Sequence, residues 1–177
     1  AATIEKLNKV VESRPGEIIF GLTMMVSKGR TIFVADTNVH DNPTAEQLVK
    51  IAISSTRVAR LFGFDPKVAF LSHSTFGKPA TVRTKHVREA IELIKTKKVD
   101  FEYDGEMQPD VALDPEYKAS YPFSKIVGNA NILIMPALHS ASISIKLMKT
   151  FGGAKLIGPL LIGLGLPIEI APLRSSS

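Results

Sequence analysis

The chain has 177 residues, of which 45% are hydrophobic, and this length predicts one good-sized folded domain with little room for a second. It contains no cysteine, which excludes a disulfide framework, a thiolate metal site and a thiol nucleophile. Its net charge of +5 comes from 22 basic residues scattered among 17 acidic ones. No recognised nucleic-acid motif accompanies this charge, so we expect no nucleic-acid partner, whereas a modest positive field suits a phosphate-bearing cofactor.

The apolar runs of the chain are short. The longest, Ile18–Val26 and Leu156–Leu166, are too short or too interrupted by glycine and proline for a membrane span of roughly 20 residues. The opening residues, AATIEKLNKVV, place no basic region ahead of an apolar run, so we expect no secretory signal. These features predict a cytoplasmic protein without a membrane partner.

The first part of the chain predicts a helix followed by two strands. Residues Thr3–Ser13 carry apolar side chains at the spacing of an amphipathic helix. The runs EIIFGLTMMVS and TIFVADTNV then flank a polar turn at Lys28 and Gly29. Two apolar runs around a short polar turn predict a hairpin or adjacent strands.

A second helix and a buried strand follow. Asp41 or Asn42 can cap this helix, with Pro43 in its first turn and Gly63 at its end. The strand is KVAFL, at Lys67–Leu71, and its apolar character predicts that both of its faces are buried.

The second half of the chain alternates between the same two kinds of element. Helices are predicted at about Thr81–Lys97 and Ser140–Thr150, and strands at Phe101–Tyr103 and Asn131–Met135. In the tail, AKLIGPLLIGLGLPIEIAPLRSSS, glycine and proline divide the apolar segments, which indicates strand and loop rather than one long helix.

The acidic stretch Asp104–Pro115, DGEMQPDVALDP, lies between two of the predicted strands. Interpreted as a short helix from about Glu106, it places Glu106, Asp110 and Asp114 four residues apart on one face. Such a face is either the rim of a binding cleft or a solvated helix surface. We expect Asp104 and Glu106 to orient the loops at 35–43 and 72–80 rather than to transfer protons.

Short strands that alternate with longer helices predict an α/β fold with a mostly parallel sheet. In such sheets, ligands bind beyond the carboxyl ends of the strands. This rule indicates four loops: Ala35–Pro43, Ser72–Ala80, Asp104–Pro109 and Pro136–Ser140.

The loop that begins at Ser72 is the main candidate for ligand binding. Its residues, SHSTFGK, offer three hydroxyl groups, an imidazole, a glycine and the ammonium group of Lys78. Hydroxyl and backbone N–H groups of this kind can bind a phosphate, although the loop lacks the spacing of a nucleotide P-loop. The alternative is a hydrogen-bonded turn, because serine and threonine are common in turns for local reasons.

The histidines carry weaker signals. His40 follows Asp36 by four positions, which suits a metal ligand or, more simply, a turn before a helix cap. His73 stands between two serines, but no GxSxG motif surrounds them, so we expect no Ser-His catalysis. His86 and His139 are interpreted as ordinary surface or interface residues. In the tail, Arg174 is a candidate phosphate partner or part of a disordered terminus.

Five blocks carry a resemblance to a known family. They are ADTNVHDNPTAEQL (Ala35–Leu48), KVAFLSHSTFG (Lys67–Gly77), DGEMQPDVALDP (Asp104–Pro115), GNANILIMP (Gly128–Pro136) and IGPLLIGLGLPI (Ile157–Ile168). In order and spacing they resemble the phosphate acetyl/butyryltransferase family. Within it, LSHS and the EMQ version of the acidic block are most similar to the C-terminal phosphotransacetylase-like domain of large bacterial NADP-dependent malic enzymes.

The resemblance implies a three-layer sandwich with the topology of isocitrate and isopropylmalate dehydrogenases. It assigns residues 1–45 to the last strands of a first subdomain and 46–177 to a second, with the family's closing helix and catalytic aspartate beyond Ser177. Family members carry a Ser-Arg pair near the phosphate, and here Leu173 precedes Arg174, so only Arg174 might correspond. Similar proteins also carry Asp and Asn where His139 and Ser142 stand.

The resemblance implies a non-catalytic domain that binds acetyl-CoA or CoA, regulates the oxidative decarboxylation of malate to pyruvate and supports a homo-oligomer. Its expected ligand contacts are Ser72, Ser74, Thr75, Gly77, Lys78, Asn131 and Arg174. It implies no catalytic residue or metal site in this chain, since NADP and a divalent metal belong to the malic-enzyme domains of similar proteins. The alternative is an active phosphate acetyltransferase that makes acetyl-CoA from acetyl phosphate and CoA.

Overall fold

The computed structural model of the chain describes residues 15–79, 81–165 and 168–169. The predicted helix at Thr3–Ser13 and the predicted contact Arg174 lie outside these residues. The strands are β1 (Phe20–Ser27), β2 (Arg30–Ala35), β3 (Lys67–Leu71), β4 (Glu102–Met107), β5 (Ile132–Ile134), β6 (Lys155–Ile162) and β7 (Ile168–Glu169). The α-helices are α1 (Ala45–Leu61), α2 (Lys85–Lys95), α3 (Pro109–Leu113), α4 (Pro115–Ala119) and α5 (Leu138–Thr150).

The seven strands of the described residues form one sheet in the order β4-β3-β5-β2-β1-β6-β7. The pairings β2 with β5, β5 with β3 and β3 with β4 are parallel, and those of β1 with β2, β1 with β6 and β6 with β7 are antiparallel. The α/β class is therefore confirmed, and the sheet is mixed, with its parallel half at β2 to β5. The predicted division at residue 45 stays a prediction, and β1 and β2 share this sheet with strands on the other side of that boundary.

The predicted hairpin is confirmed as the antiparallel pair β1 and β2, in which Ser27 lies opposite Arg30. The two residues of its turn, Lys28 and Gly29, both have positive φ, at 49° and 73°. A two-residue turn of this kind matches the right-handed twist of the strands, which explains why a polar residue followed by glycine joins them.

Helix α1 is confirmed between the predicted boundaries, but its cap lies further along than expected. The Thr44 hydroxyl accepts a hydrogen bond from Gln47 N, and the Gln47 side chain accepts one from Thr44 N. This reciprocal pair satisfies two backbone donors that the start of a helix would otherwise leave free. The cap is therefore Thr44, not Asp41 or Asn42, and Gly63 follows the last turn with φ at 81°.

Two apolar cores lie on opposite faces of the sheet, because successive strand residues point to opposite sides. One core joins α1 and α2 to strand residues such as Phe33, Phe70 and Ile134. The other joins α3 and α5 to Val34 and Leu133 among others. This arrangement confirms the predicted three-layer sandwich. Within the described ranges, no helix is long and apolar enough to cross a membrane.

The acidic stretch is not the helix that its spacing suggested. Glu106 lies in β4, which pairs with β3 through residue 107, and helices occur only afterwards, at Pro109–Leu113 and Pro115–Ala119. Each short helix begins with a proline in its first turn, and Asp114 caps the second by accepting a hydrogen bond from Glu116 N. Glu106, Asp110 and Asp114 therefore share no helical face, since pairing with β3 overrides the local pattern.

The other predicted elements are confirmed with shifted ends. The helix expected from Thr81 begins with a 3₁₀ turn at Val82–Thr84 before α2, and the helix expected from Ser140 starts two residues earlier. The tail forms strands β6 and β7, as its glycines and prolines indicated.

Candidate functional site

A cleft of about 760 Å³ opens at the carboxyl-end edge of the parallel strands. All four loops that the strand pattern indicated contribute to it, as do residues of α2 and α5. Its lining consists of Asn42, Pro43, Thr44, Leu71, Ser72, His73, Val82, His86, Pro109, Met135, Pro136, Ala137, His139, Ser140 and Ser144. A cleft that combines apolar walls with a few polar groups is typical of sites for small molecules and cofactors.

Two longer helices begin at this cleft. Helix α1 starts behind Asn42, Pro43 and Thr44, and α5 starts behind Ala137, where no side chain caps the helix. The N-terminus of a helix carries a partial positive charge and free backbone N–H groups, so it stabilises nearby anions. The position of both helix starts therefore favours a negatively charged ligand in the cleft.

Hydrogen bonds to other protein groups fix most of the loop at residues 72–79. Thr75 and Lys78 exchange two backbone hydrogen bonds, at 3.0 and 3.1 Å, and the Thr75 hydroxyl accepts one from Gln108 N. The Ser74 hydroxyl donates to the Glu106 carboxylate at 2.7 Å, and Gly77 N donates to the same oxygen at 3.2 Å. Hydrogen bonds of a turn therefore hold Ser74, Thr75 and Gly77, and their expected contact with a ligand stays a prediction.

Glu106 is the buried centre of this arrangement, with only 1% of its surface exposed. Its Oε1 also accepts a hydrogen bond from Arg88, at 3.3 Å, and that guanidinium group is fixed in turn by the Thr84 hydroxyl and the Thr81 carbonyl. Its Oε2 is buried without a hydrogen-bond partner among the described residues. Of the two loops that Glu106 was expected to orient, these contacts reach the one at residues 72–79, and none of the hydrogen bonds described for its carboxylate reaches residues 35–43.

Asp104 has a different task from the one expected. Its Oδ2 accepts a hydrogen bond from Lys125 N at 2.7 Å, and its Oδ1 accepts one from Gly105 N. The bond with Lys125 N fixes the segment that leads into β5. Among the described residues, none of the hydrogen bonds of the Asp104 carboxylate involves the loops at 35–43 and 72–80 that it was expected to orient.

The Asp36 carboxylate organises the turn that follows β2. It accepts hydrogen bonds from four backbone N–H groups, those of Gly21, Asn38, Val39 and His40, and it lies 2.6 Å from His40 Nδ1. This set of donors supports the turn interpretation. Among the residues described, no cluster of three or more His, Asp or Glu side chains could hold a metal ion.

The expected ligand contacts do not all lie together. Ser72 lines the cleft, while Lys78 is exposed outside the lining. Asn131 lies at the opposite edge of the sheet, where its side chain accepts a hydrogen bond from Lys67 N and donates one to the Asp65 carbonyl. An Asn that precedes a strand bonds readily to neighbouring backbone. The predicted strand Asn131–Met135 already places this residue at the amino end of a strand, away from the carboxyl-end loops.

Three histidines, which the sequence analysis treated separately, line the same cleft. His73 follows β3, His86 lies on α2 and His139 lies in the first turn of α5. The last two were interpreted as ordinary surface residues, because no local motif marks them. The available signal was position, since His73 and His139 fall in two of the four loops at the carboxyl ends of strands.

The sequence pattern of the phosphate acetyl/butaryl transferase family matches residues 1–176. The chain belongs to the phosphate acetyl/butaryl transferase family. An NADP-dependent malic enzyme of Rhizobium meliloti is 44% identical over 175 residues, which are 99% of this chain and 23% of that protein. A phosphate acetyltransferase of Clostridium acetobutylicum is 38% identical over 171 residues, with 91% of this chain and 51% of that protein covered.

The fold agrees with a solved structure of the same family. The EutD phosphotransacetylase from Staphylococcus aureus superposes with a TM-score of 0.88 at 30% sequence identity, over 98% of this chain and 55% of that one. The chain thus spans about a quarter of the malic enzyme and about half of each of the two phosphotransacetylase relatives. This phosphotransacetylase-like region is common to malic enzymes and phosphate acetyltransferases.

Proposed function

We propose that this chain is the acyl-CoA-binding, non-catalytic domain of a malic enzyme, in which acetyl-CoA or CoA occupies the cleft and regulates the decarboxylation of malate. The observation that carries the proposal is the 44% identity to a malic enzyme over 99% of the chain. The cleft supports it, because its helix starts suit the phosphates of CoA and its apolar walls suit an acyl chain.

The regulation needs only a difference in affinity between two arrangements of the enzyme. If acetyl-CoA binds the less active arrangement more tightly, it lowers malate turnover, and a coupling of about 1–3 kcal/mol is enough for a strong effect. NADP and the divalent metal act in the malic-enzyme domains under this proposal. The protein is then cytoplasmic, and this domain contributes to a homo-oligomer.

The first test measures binding to the cleft directly. Calorimetry is performed with acetyl-CoA on the parent chain and on Ser144→Phe, since Ser144 lines the cleft from α5. We expect binding to the parent and at least a tenfold loss in the variant, because the aromatic ring occupies ligand space. Lys149→Phe is the matched control, as it adds the same ring at an exposed position of α5 outside the lining.

The second test measures regulation in the full-length enzyme that contains this domain. Malate turnover is followed across acetyl-CoA concentrations, and we expect it to fall in the parent and to respond less in Ser144→Phe. An Arg174→Ala variant tests the expected tail contact in the same assay. Turnover that ignores acetyl-CoA in the parent enzyme contradicts the proposed regulation.

The alternative is an active phosphate acyltransferase, favoured by the 38% identity to a phosphate acetyltransferase. In that reaction the CoA thiolate attacks the carbonyl carbon of acetyl phosphate, the thioester C–S bond forms, and the C–O bond to the phosphate breaks. Hydrogen-bond donors around the cleft would stabilise the charge on the departing phosphate. The formation of acetyl-CoA from acetyl phosphate and CoA by the full-length protein decides between the two proposals. Binding without turnover supports the regulatory domain.

A further inference from the structure

All the titratable side chains of the cleft lining are histidines. His73, His86 and His139 enter it from three different segments, and its described lining contains no carboxylate, ammonium or guanidinium group. On the basis of the proposed function, we infer that these imidazoles are the specificity-determining groups for the anionic part of the ligand. They bind its phosphates as imidazolium ions, so that affinity rises as the pH falls from 8 to 6.

The contacts of His86 show which ring nitrogen binds the additional proton when the imidazole becomes an imidazolium ion. Its Nε2 lies 3.1 Å from the Pro136 carbonyl oxygen, which can only accept a hydrogen bond. Nε2 therefore carries the hydrogen of that bond in the neutral ring, and Nδ1 is the nitrogen that gains a proton on acidification. Protonation changes His86 Nδ1 from an acceptor, which repels phosphate oxygens, into a donor that binds them.

The other two imidazoles are less restrained. His73 is exposed, and its Nε2 lies 3.5 Å from the Thr81 hydroxyl, at the outer limit for a hydrogen bond. His139 is also exposed, and it lies in the first turn of α5, where the helix start itself favours an anion. Both rings can therefore turn towards a ligand without breaking a strong bond in the protein.

Charged groups of both signs stand next to the cleft lining in the chain. On α2, Lys85 pairs with Glu89 at 3.5 Å, and Arg88 pairs with the buried Glu106. Two carboxylates also adjoin the lining: Asp110 follows Pro109 and accepts a hydrogen bond from Val111 N, and the exposed Asp41 precedes Asn42. Within the described lining, the three imidazoles are the side chains that can carry a charge.

The test measures ligand affinity by calorimetry at pH 8 and pH 6. Dephospho-CoA is the probe, because its diphosphate keeps its charge over this range, whereas the 3′-phosphate of CoA is a monoester that titrates near pH 6. We expect binding to the parent to be at least tenfold tighter at pH 6. Each single substitution, His73→Gln, His86→Gln or His139→Gln, reduces that ratio, and the triple variant binds equally within about twofold at both pH values.

The fourth histidine provides the matched control. His40 bonds to Asp36 outside the lining, so His40→Gln removes an imidazole from the protein and leaves the pH ratio unchanged. If the triple variant does not fold, proton uptake on binding to the parent is measured at pH 6.5 in buffers of different ionisation enthalpy. We expect net uptake by the protein.

The outcomes separate this inference from the proposed function. Equal affinity of the parent at both pH values, a pH ratio that survives in the folded triple variant, or binding without proton uptake overturns the histidine inference and leaves acyl-CoA binding intact. No binding of acetyl-CoA or dephospho-CoA at either pH overturns the proposed function, and the histidine inference with it.

Discussion

The carboxylate of Glu106 holds the loop at residues 72–79 in its conformation. It accepts hydrogen bonds from the Ser74 hydroxyl and Gly77 N, and it pairs with Arg88. The first two residues of that loop, Ser72 and His73, line the cleft. A residue outside the cleft lining therefore sets the position of two residues of the lining.

Replacement of Glu106 by Gln tests this role. The amide would remove the negative partner of Arg88 and would place a buried N–H donor where Oε2 has no hydrogen-bond partner among the described residues, so we expect the free energy of unfolding to fall by about 2 kcal/mol. Denaturant titration measures the change, and the affinity for acetyl-CoA should weaken with it. Glu89→Gln, on the exposed face of α2, is the control and should change stability by no more than about 0.5 kcal/mol. A Glu106→Gln variant as stable as the parent contradicts the role.

A surface ion pair offers a second measurement at this scale. The Arg60 guanidinium donates a hydrogen bond to Asp100, which lowers the pKa of that carboxyl below its usual range. A lowered carboxyl pKa supplies stability that is present at neutral pH and is lost as the pH falls through the folded-state pKa. We expect Arg60→Gln to raise the Asp100 pKa, observed by NMR titration. Lys97→Gln removes a positive charge three positions before Asp100 in the chain but leaves this bond in place, so the pKa of Asp100 should move less.

Strand β4 ends beside the cleft, and its pairing with β3 depends on one glycine. Gly105 has φ at 144°, and a Cβ at this position would lie 2.7 Å from the Phe70 carbonyl oxygen of β3. A side chain would thus force apart the two strands whose ends carry the 72–79 loop and the start of α3. The close approach of β3 and β4 explains why glycine precedes Glu106.

We expect Gly105→Ala to lower the free energy of unfolding by about 3 kcal/mol, through overpacking together with backbone strain. Gly29→Ala is the matched control, because Gly29 also has positive φ but a Cβ there would meet no atom within 4 Å. Its expected cost is only about 1 kcal/mol, from backbone strain alone. Thermal or denaturant unfolding of the two variants compares them, and equal losses would rule out the steric explanation.

At the scale of the whole molecule, α5 leaves an apolar stripe uncovered. Ile143, Leu147 and Phe151 are spaced four residues apart, so they share one helical face, and they are 65%, 60% and 91% exposed. A contiguous exposed apolar surface commonly marks a site of association. It is the surface on which the predicted self-association would depend.

Sedimentation analysis of the parent and of Leu147→Glu tests this prediction. We expect the parent to exceed the monomer mass, and we expect the variant to dissociate because the new carboxylate cannot be buried between two apolar faces. Leu61→Glu is the control, since Leu61 is 86% exposed at the end of α1, away from the stripe. If Leu147→Glu has the same mass as the parent, the stripe is not the interface.

Local pattern was sufficient for much of the fold. The hairpin at Lys28 and Gly29, the long helix α1 and the buried strand at Lys67–Leu71 follow from periodicity and turn residues, which act over a few positions. The alternation of strand and helix, with the rule for carboxyl ends, also located the four loops of the cleft. The prediction of these features requires no information about contacts between residues that are far apart in the chain.

The sequence by itself determined the α/β class, the order of the elements and the edge of the sheet that carries the cleft. Only the tertiary structure decided that Glu106 lies in a strand, because its pairing partner β3 is more than 30 residues away. It also decided that His73, His86 and His139 meet at one cleft. Segments far apart in the chain bring these side chains together, and periodicity carries no information about that distance.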